Sequence, residues 1–344
     1  MRRIPVIVLL VVFAVSAGFA DFKYTEKSKI TGGSVMGAVK FAGAFSKDAK
    51  QMTQGMNSTV SFKGNKMRRD DDLGNAEIYD LDGRRIIHID TRHKTYSVMT
   101  FDEMRARIQE EKRKAAEQQA KSKDKNAQVK VIPKVQITPG KTTKELLGQT
   151  AKEVKVRVDM EFVSEDPQHK GESATFWVNS DSWLAPVKGY DEAKRFYIRL
   201  AKELDWLPGE MAGGAGNVQI APAMAEFRKN AFNLTGFPLL QYVSVGGTGT
   251  GQPGQSDSKA QSSPSTPGGA IAKGIGGLFG RKKKKKEDEQ AQQDSANADS
   301  KPASPANSLM DMTLEVTSVS TDPVDKSLFD IPQGYKQVED KGRH

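Results

Sequence analysis

The chain has 344 residues, a formal charge of +9 and no cysteine. The absence of cysteine excludes disulfides, thiol nucleophiles and Cys-ligated zinc, so stability has to come from burial and hydrogen bonding. The length allows one or two domains with a real core. The apolar fraction of 37% lies below the ~45–50% usual for soluble domains (a figure that counts Gly), so part of the chain is expected outside that core.

The first twenty residues have the layout of a secretory signal peptide. Arg2 and Arg3 form a basic head, Ile4 to Val15 is apolar apart from Pro5, and Ser16, Ala17, Gly18 and Ala20 are small residues before a cleavage point at Ala20–Asp21. The apolar run is shorter than the ~20 residues a membrane-spanning helix needs. The expected location is periplasmic or secreted, in a bacterial cell envelope. Without Arg2 and Arg3 the charge falls by two, to +7. Export turns this basic excess away from nucleic acid and toward anionic lipids and wall polymers.

The mature chain reads as antiparallel β structure with a few helices. Strands are expected over Phe22 to Ile30, Ser58 to Phe62, Glu77 to Leu81, Arg85 to Asp90 and Thr95 to Met99. Asp82–Gly83 between two of these predicts a hairpin with positive φ at the turn. Ser34 to Phe45 is small and apolar and could form a helix packed on the sheet. Asp70 to Asp72 reads as a turn. Thr100 with Glu103 forms a capping box, opening a helix with the apolar stripe Phe101, Met104 and Ile108.

Val129 to Ile137 alternates around Pro133, which predicts an edge strand or a bulge. The clearest strand is Val154 to Phe162, where Val154, Val156, Val158, Met160 and Phe162 alternate with charged residues. Such alternation makes one dry and one wet face. Ser173 to Val178 and Leu239 to Val245 are further strands, and Met310 to Val316 repeats the alternation. Between them, Tyr190, Ala193, Tyr197, Leu200, Ala201 and Leu204 share a helical face that Pro208 and Gly209 end. Another helix is expected over Ile220 to Phe232. One-faced strands in this number imply a sheet that curls over a core.

Two polar insertions interrupt the sheet. Lys112 to Asn126 is charged, within an exposed helical region spanning about 101–126. Residues 246–307, rich in Gly, Ser, Pro and Lys, lack the apolar surface to offset ordering entropy and are expected to be disordered.

Trp183 to Glu192, with Pro186 and Gly189, and Leu328 to Tyr335, with Pro332 and Gly334, resemble an uncharacterised exported bacterial envelope domain family. That family is similar to the outer-membrane lipoprotein carriers LolA and LolB, and Thr95 to Met104 also fits it. The resemblance covers Asp21 to Val338 outside the two insertions, and residues 21–245 and 308–340 are expected to form a single domain. It implies an α+β fold: a LolA-like half-open barrel with helices on the concave side and an interior able to hold acyl chains. It supplies no catalytic residue.

The candidate cavity wall is Val156, Val158, Met160, Phe162, Met312, Leu314 and Val316, with Tyr197, Leu200 and Leu204 of the covering helix. Methionines suit a wall that adapts to varied shapes; a packed core would use the same residues. A second candidate lies in the insertion. Ile271, Ile275, Leu278 and Phe279 share a helical face beside Arg281, Lys282, Lys283 and Lys284. That is the form of a weak anchor on anionic membrane, although a solvated linker has the same composition.

The four histidines are His88, His93, His169 and His344, and only His88, Asp90 and His93 lie close enough in sequence to begin a metal site. No hydrolase, zincin or phosphate-loop pattern occurs. The expectation is a non-enzymatic exported protein with no cofactor and no metal. It binds a lipid, another apolar ligand or a lipid-modified partner, and no nucleic acid. The alternative is an envelope structural or interaction module acting through its charged helix and basic insertion.

Overall fold

In the computed structural model the described residues are 21–44, 46–121, 129–164, 173–204, 234–249 and 307–339. Along the chain they form β1 (Phe22–Gly32), α1 (Met36–Gly43), α2 (Lys47–Gln54), β2 (Met56–Lys63), β3 (Lys66–Asp71), β4 (Asn75–Asp80), β5 (Arg85–Asp90) and β6 (Thr95–Thr100). Then come α3 (Phe101–Lys121), β7 (Val129–Leu146), β8 (Gln149–Ser164), β9 (Ser173–Ala185), α4 (Tyr190–Leu204), β10 (Phe237–Gly249), β11 (Ser308–Ser320) and β12 (Lys336–Gln337).

All twelve strands belong to one curled sheet, in the order β12-β6-β5-β4-β3-β2-β1-β11-β10-β9-β8-β7. Every ladder is antiparallel except the short β12–β6 pair. The sheet does not close, because β12 and β7 remain its two edges. Two hairpin series meet at its centre, where β1 lies between β2 and β11.

Directly paired residues share a face. One row across the first half is Phe22, Phe62, Met67, Tyr79, Ile86 and Met99. All six are at most 4% exposed. Helix α4 lies over this row, burying Ala193, Phe196, Leu200 and Leu204. Its three large buried side chains contribute about 1.5–3 kcal/mol each. The face carries Phe196 where the periodicity selects Tyr197; Tyr197 packs beside it, half-buried. Helix α3 begins at the expected capping box, with Glu103 N donating to Thr100 Oγ1 (3.1 Å) and Thr100 N to Glu103 Oε2 (2.7 Å). Phe101, Met104 and Ile108 join the same core.

The other face of β4–β6 is covered by the C-terminal segment. Val324 and Phe329 bury against Ala76, Ile78, Ile87 and Ile89. Arg68 Nη1 donates to Leu328 O at 2.7 Å, and Arg68 also pairs with Asp70. Lys336 N and Val338 N donate to Lys94 O and Tyr96 O, sealing the β6 edge. The Leu328 to Tyr335 motif is therefore a packing strap. The opposite edge, β7, carries Pro133, Pro139, Lys134 and Lys141 and an irregularity between Pro139 and Thr143. Such features discourage further strand pairing.

Four expectations need correction. Asp70 and Asp71 lie in β3, whose only apolar residue is Met67; charged neighbours hide the strand from hydropathy. The hairpin at Asp82–Gly83 forms, but the positive φ belongs to Arg84 (48°). Gly83 is needed for closeness, since a Cβ there would lie 2.7 Å from Asp80 Oδ2. The Ser34 to Phe45 stretch yields α1, but none of its residues is buried against the sheet. Residues 246–249 belong to β10 and 307 caps β11, so the polar insertion between described strands is 250–306. The expected helix at Ile220 to Phe232 lies outside the described residues, as do residues 1–20.

Candidate functional site

The seven predicted wall residues that lie on strands share one face of the sheet, and α4, which carries Tyr197, Leu200 and Leu204, packs on that face. The row Ile30, Met312, Val243, Ser180, Val156 and Ile137 runs across six strands, and Tyr24, six residues before Ile30 on the same face of β1, contacts Tyr197 of α4. This inner face is not one cluster. Leu200, Leu204 and Val316 are buried in the α4 core, with Tyr197 packed against it. Val156, Val158, Met160 and Phe162 form a second cluster with side chains of β7 and β9. Leu234 is the one described residue outside those strands that joins it.

Between the two clusters, Met310, Met312 and Leu314 of β11 and Val243 and Val245 of β10 are half-buried. Beside them runs a polar rung. Gln241 Nε2 donates to Ser182 Oγ (3.0 Å), and Ser182 and Ser180 hydroxyls lie 2.9 Å apart. An apolar band with a few convergent polar groups is the usual composition of a small-molecule site.

A charged group lies where this band meets α4, which sequence reasoning missed. Arg69 Nη2 is 2.9 Å from Glu26 Oε1 and 3.3 Å from Ser58 Oγ. Next along the same face, His88 Nδ1 lies 3.2 Å from Glu77 Oε1, and the Tyr79 hydroxyl donates to Glu77 Oε2 at 3.3 Å. Burial pushes the Glu26 carboxyl above its ordinary range, with Arg69 opposing. Burial also pushes Glu77 up, but His88, Tyr79 and Arg69 outweigh it and hold that carboxyl low. Tyr24 and Tyr197 hydrogen-bond each other, and burial pushes Tyr197 up to about 12. The only sequence signal was the alternation of Tyr24, Glu26 and Ser28 in β1, which reads as an ordinary strand.

The histidine constellation does not assemble. His88 pairs with Glu77, whereas His93 Nδ1 pairs with Asp90 Oδ2 at 2.8 Å. Among the described residues no group of three His, Asp or Glu side chains could hold a metal ion. A cavity of about 180 Å3 opens elsewhere, lined by Leu147, Gln149, Val187, Lys188, Leu239 and Val319 among others. It is below the ~300–1,000 Å3 of typical ligand sites, and none of the ten wall residues lines it. Ile271, Ile275, Leu278, Phe279, Arg281, Lys282, Lys283 and Lys284 lie outside the described residues. No helix among the described residues is long and apolar enough to cross a membrane.

No family model, curated protein or solved structure matches this chain.

Proposed function

We propose that this is an exported, non-enzymatic binding protein. It holds a lipid, or the lipid of a modified partner, against the inner face of a LolA-like half-barrel. One observation carries the reading: half-buried Met310, Met312, Leu314, Val243 and Val245 form an apolar band between two filled clusters. A finished core would bury these side chains fully. Flexible methionines fit acyl chains of differing length, and the Gln241–Ser182–Ser180 rung offers donors and acceptors to a polar ligand portion. The signal-peptide layout of residues 1–20 supports export.

Native mass spectrometry and organic extraction of protein secreted by a bacterial host test the reading. Co-purifying lipid is expected. Met312→Asp with Leu314→Asp should lower its occupancy at least tenfold while circular dichroism stays unchanged. Protein that is always empty would overturn it.

A second reading, an envelope interaction module, draws on α3. Past Ile108 the helix exposes Arg113, Lys114 and Glu117, paired mainly with each other and with Glu110. Replacing these residues with alanine would abolish partner capture under this reading and leave lipid occupancy untouched.

A further inference from the structure

We propose that a charged row on the inner face selects the head of the ligand, and that the head is zwitterionic, a phosphate joined to a primary ammonium. The proposal rests on the reading that the inner face holds a lipid, and adds which class of lipid.

The first observation is where the charges stand. Tyr24, Val60, Arg69, Glu77, His88 and Ser97 are paired in turn across β1 to β6, so they form one row on one face. Each stands two residues along its strand from the row Phe22, Phe62, Met67, Tyr79, Ile86 and Met99, on the side where α4 packs. The side chains of Arg69 and Glu77 keep 40% of their surface exposed, and that of His88 30%. Charged groups seldom enter a filled core. A half-exposed row of them on the inner face fits the wall of an open trough.

The second observation is the bonding capacity left over. Arg69 reaches Glu26 (2.9 Å) and Ser58 (3.3 Å) through Nη2. Among the described residues nothing accepts a hydrogen bond from its Nε or Nη1. A guanidinium holds five N–H donors in a planar fork that matches phosphate oxygens. Glu77 meets His88 and Tyr79, and each of its carboxylate oxygens has a second lone pair. Burial pushes that carboxyl up, but His88, Tyr79 and Arg69 hold it below its ordinary range, so it is ionised and able to receive an ammonium.

The third observation selects the head. Two carboxylates, Glu26 and Glu77, stand against Arg69, with His88 as a second cation only when protonated. A purely anionic head would add like charge to these carboxylates in a half-buried setting, and a purely cationic one would face Arg69. A zwitterion adds no net charge. Arg69 and Glu77 are paired directly on neighbouring strands, which lie about 4.8 Å apart. A two-carbon link between phosphate and ammonium spans that step, with phosphate on Arg69 and ammonium on Glu77.

The fourth observation joins head to chain. Glu26, the partner of Arg69, lies opposite Val316 on β11, and Ser28, next on the same face of β1, lies opposite Leu314. Leu314 and Met312 begin the half-buried apolar band. A head on β3 and β4 therefore directs its chain across β1 onto the band without leaving the inner face. The Gln241–Ser182–Ser180 rung is uncharged and does not discriminate among charged heads.

Native mass spectrometry of the full mature chain, stripped of lipid by detergent exchange, tests this. The protein is offered phosphatidylethanolamine, its N-acetylated form and phosphatidylglycerol, all with the same acyl chains. Phosphatidylethanolamine should fill at least fivefold more protein than either of the others. Glu77→Gln should bring phosphatidylethanolamine and phosphatidylglycerol within twofold of each other. Arg69→Gln with Glu26→Gln removes both halves of the ion pair, stranding no charge, and should lower occupancy by both at least fivefold with an unchanged circular dichroism spectrum. Met312→Asp with Leu314→Asp should lose all three lipids alike. Equal filling of the unaltered protein by phosphatidylethanolamine and its N-acetylated form would overturn the proposal and leave the inner-face reading standing, and so would undiminished selectivity in Glu77→Gln. Protein that takes up none of the three would overturn both.

Discussion

The ring of Phe62 on β2 meets that of Phe196 on α4 edge to face, with centroids 5.6 Å apart and planes at 70°. Both rings are at most 2% exposed. This contact seats the helix on the sheet, with Phe62 also touching Phe22, Tyr24 and Tyr197. Phe196→Ala should therefore cost about 3–5 kcal/mol of unfolding free energy. Urea denaturation followed by tryptophan fluorescence would measure it. A loss under 1 kcal/mol would mean that α4 docks by other contacts.

Arg69 and Glu26 form a pair whose acid is more buried than its base, with side chains 13% and 40% exposed for Glu26 and Arg69 respectively. Removing the base leaves a desolvated carboxylate. Arg69→Met should destabilise the fold by about 1–3 kcal/mol at neutral pH. The raised carboxyl of Glu26 sets the sign. A folded-state value above the unfolded one favours folding at low pH and loses that contribution as pH rises. The Arg69→Met penalty should thus shrink toward pH 5 and grow toward pH 8, and Glu26→Gln in the same chain should recover most of it. A double-mutant cycle at both pH values checks this.

Burial raises the phenols of Tyr24, Tyr79 and Tyr197, the last to about 12. Their neutral forms favour folding below the unfolded value of about 10. That contribution is lost as pH climbs through the folded values. Absorbance at 295 nm should show these three ionising late, in a step that coincides with loss of near-ultraviolet circular dichroism. Seven tyrosines titrating together near 10 would contradict the packing described.

The C-terminal strap should be cooperative with β4–β6. Phe329→Ala should cost about 3–5 kcal/mol, and hydrogen exchange should accelerate in Ile78, Ile87 and Ile89 before it does in β8. Ending the chain before Val324 should expose those isoleucines and produce concentration-dependent aggregation. A monomeric, fully protected truncated protein would remove the strap from the fold's core.

Much of the local structure was legible. The alternation from Val154 to Phe162 marks β8 because apolar and charged residues change side at every step. The Thr100–Glu103 box marks the start of α3 because both hydrogen bonds need only residues three apart. β3 was illegible because Arg68 and Arg69 sit in a strand interior only by virtue of partners brought from afar, Leu328 and Glu26. The candidate site was half legible. Its apolar residues announce themselves by period, but Glu26, Arg69, Glu77 and His88 come together from four strands with no common pattern.

What the sequence alone determined is short-range: which segments other than β3 and β12 are strands, which face of the alternating ones is dry, where α3 and α4 start, and that no disulfide holds them. Only the tertiary structure decided that β1 sits between β2 and β11, residues nearly 300 positions apart. It alone decided that the dry face of β8 looks to the side of the sheet on which α4 packs, yet the two fill separate clusters. Periodicity is a property of one chain segment, whereas strand order and the packing between faces depend on pairings far apart in the chain, which no local pattern encodes.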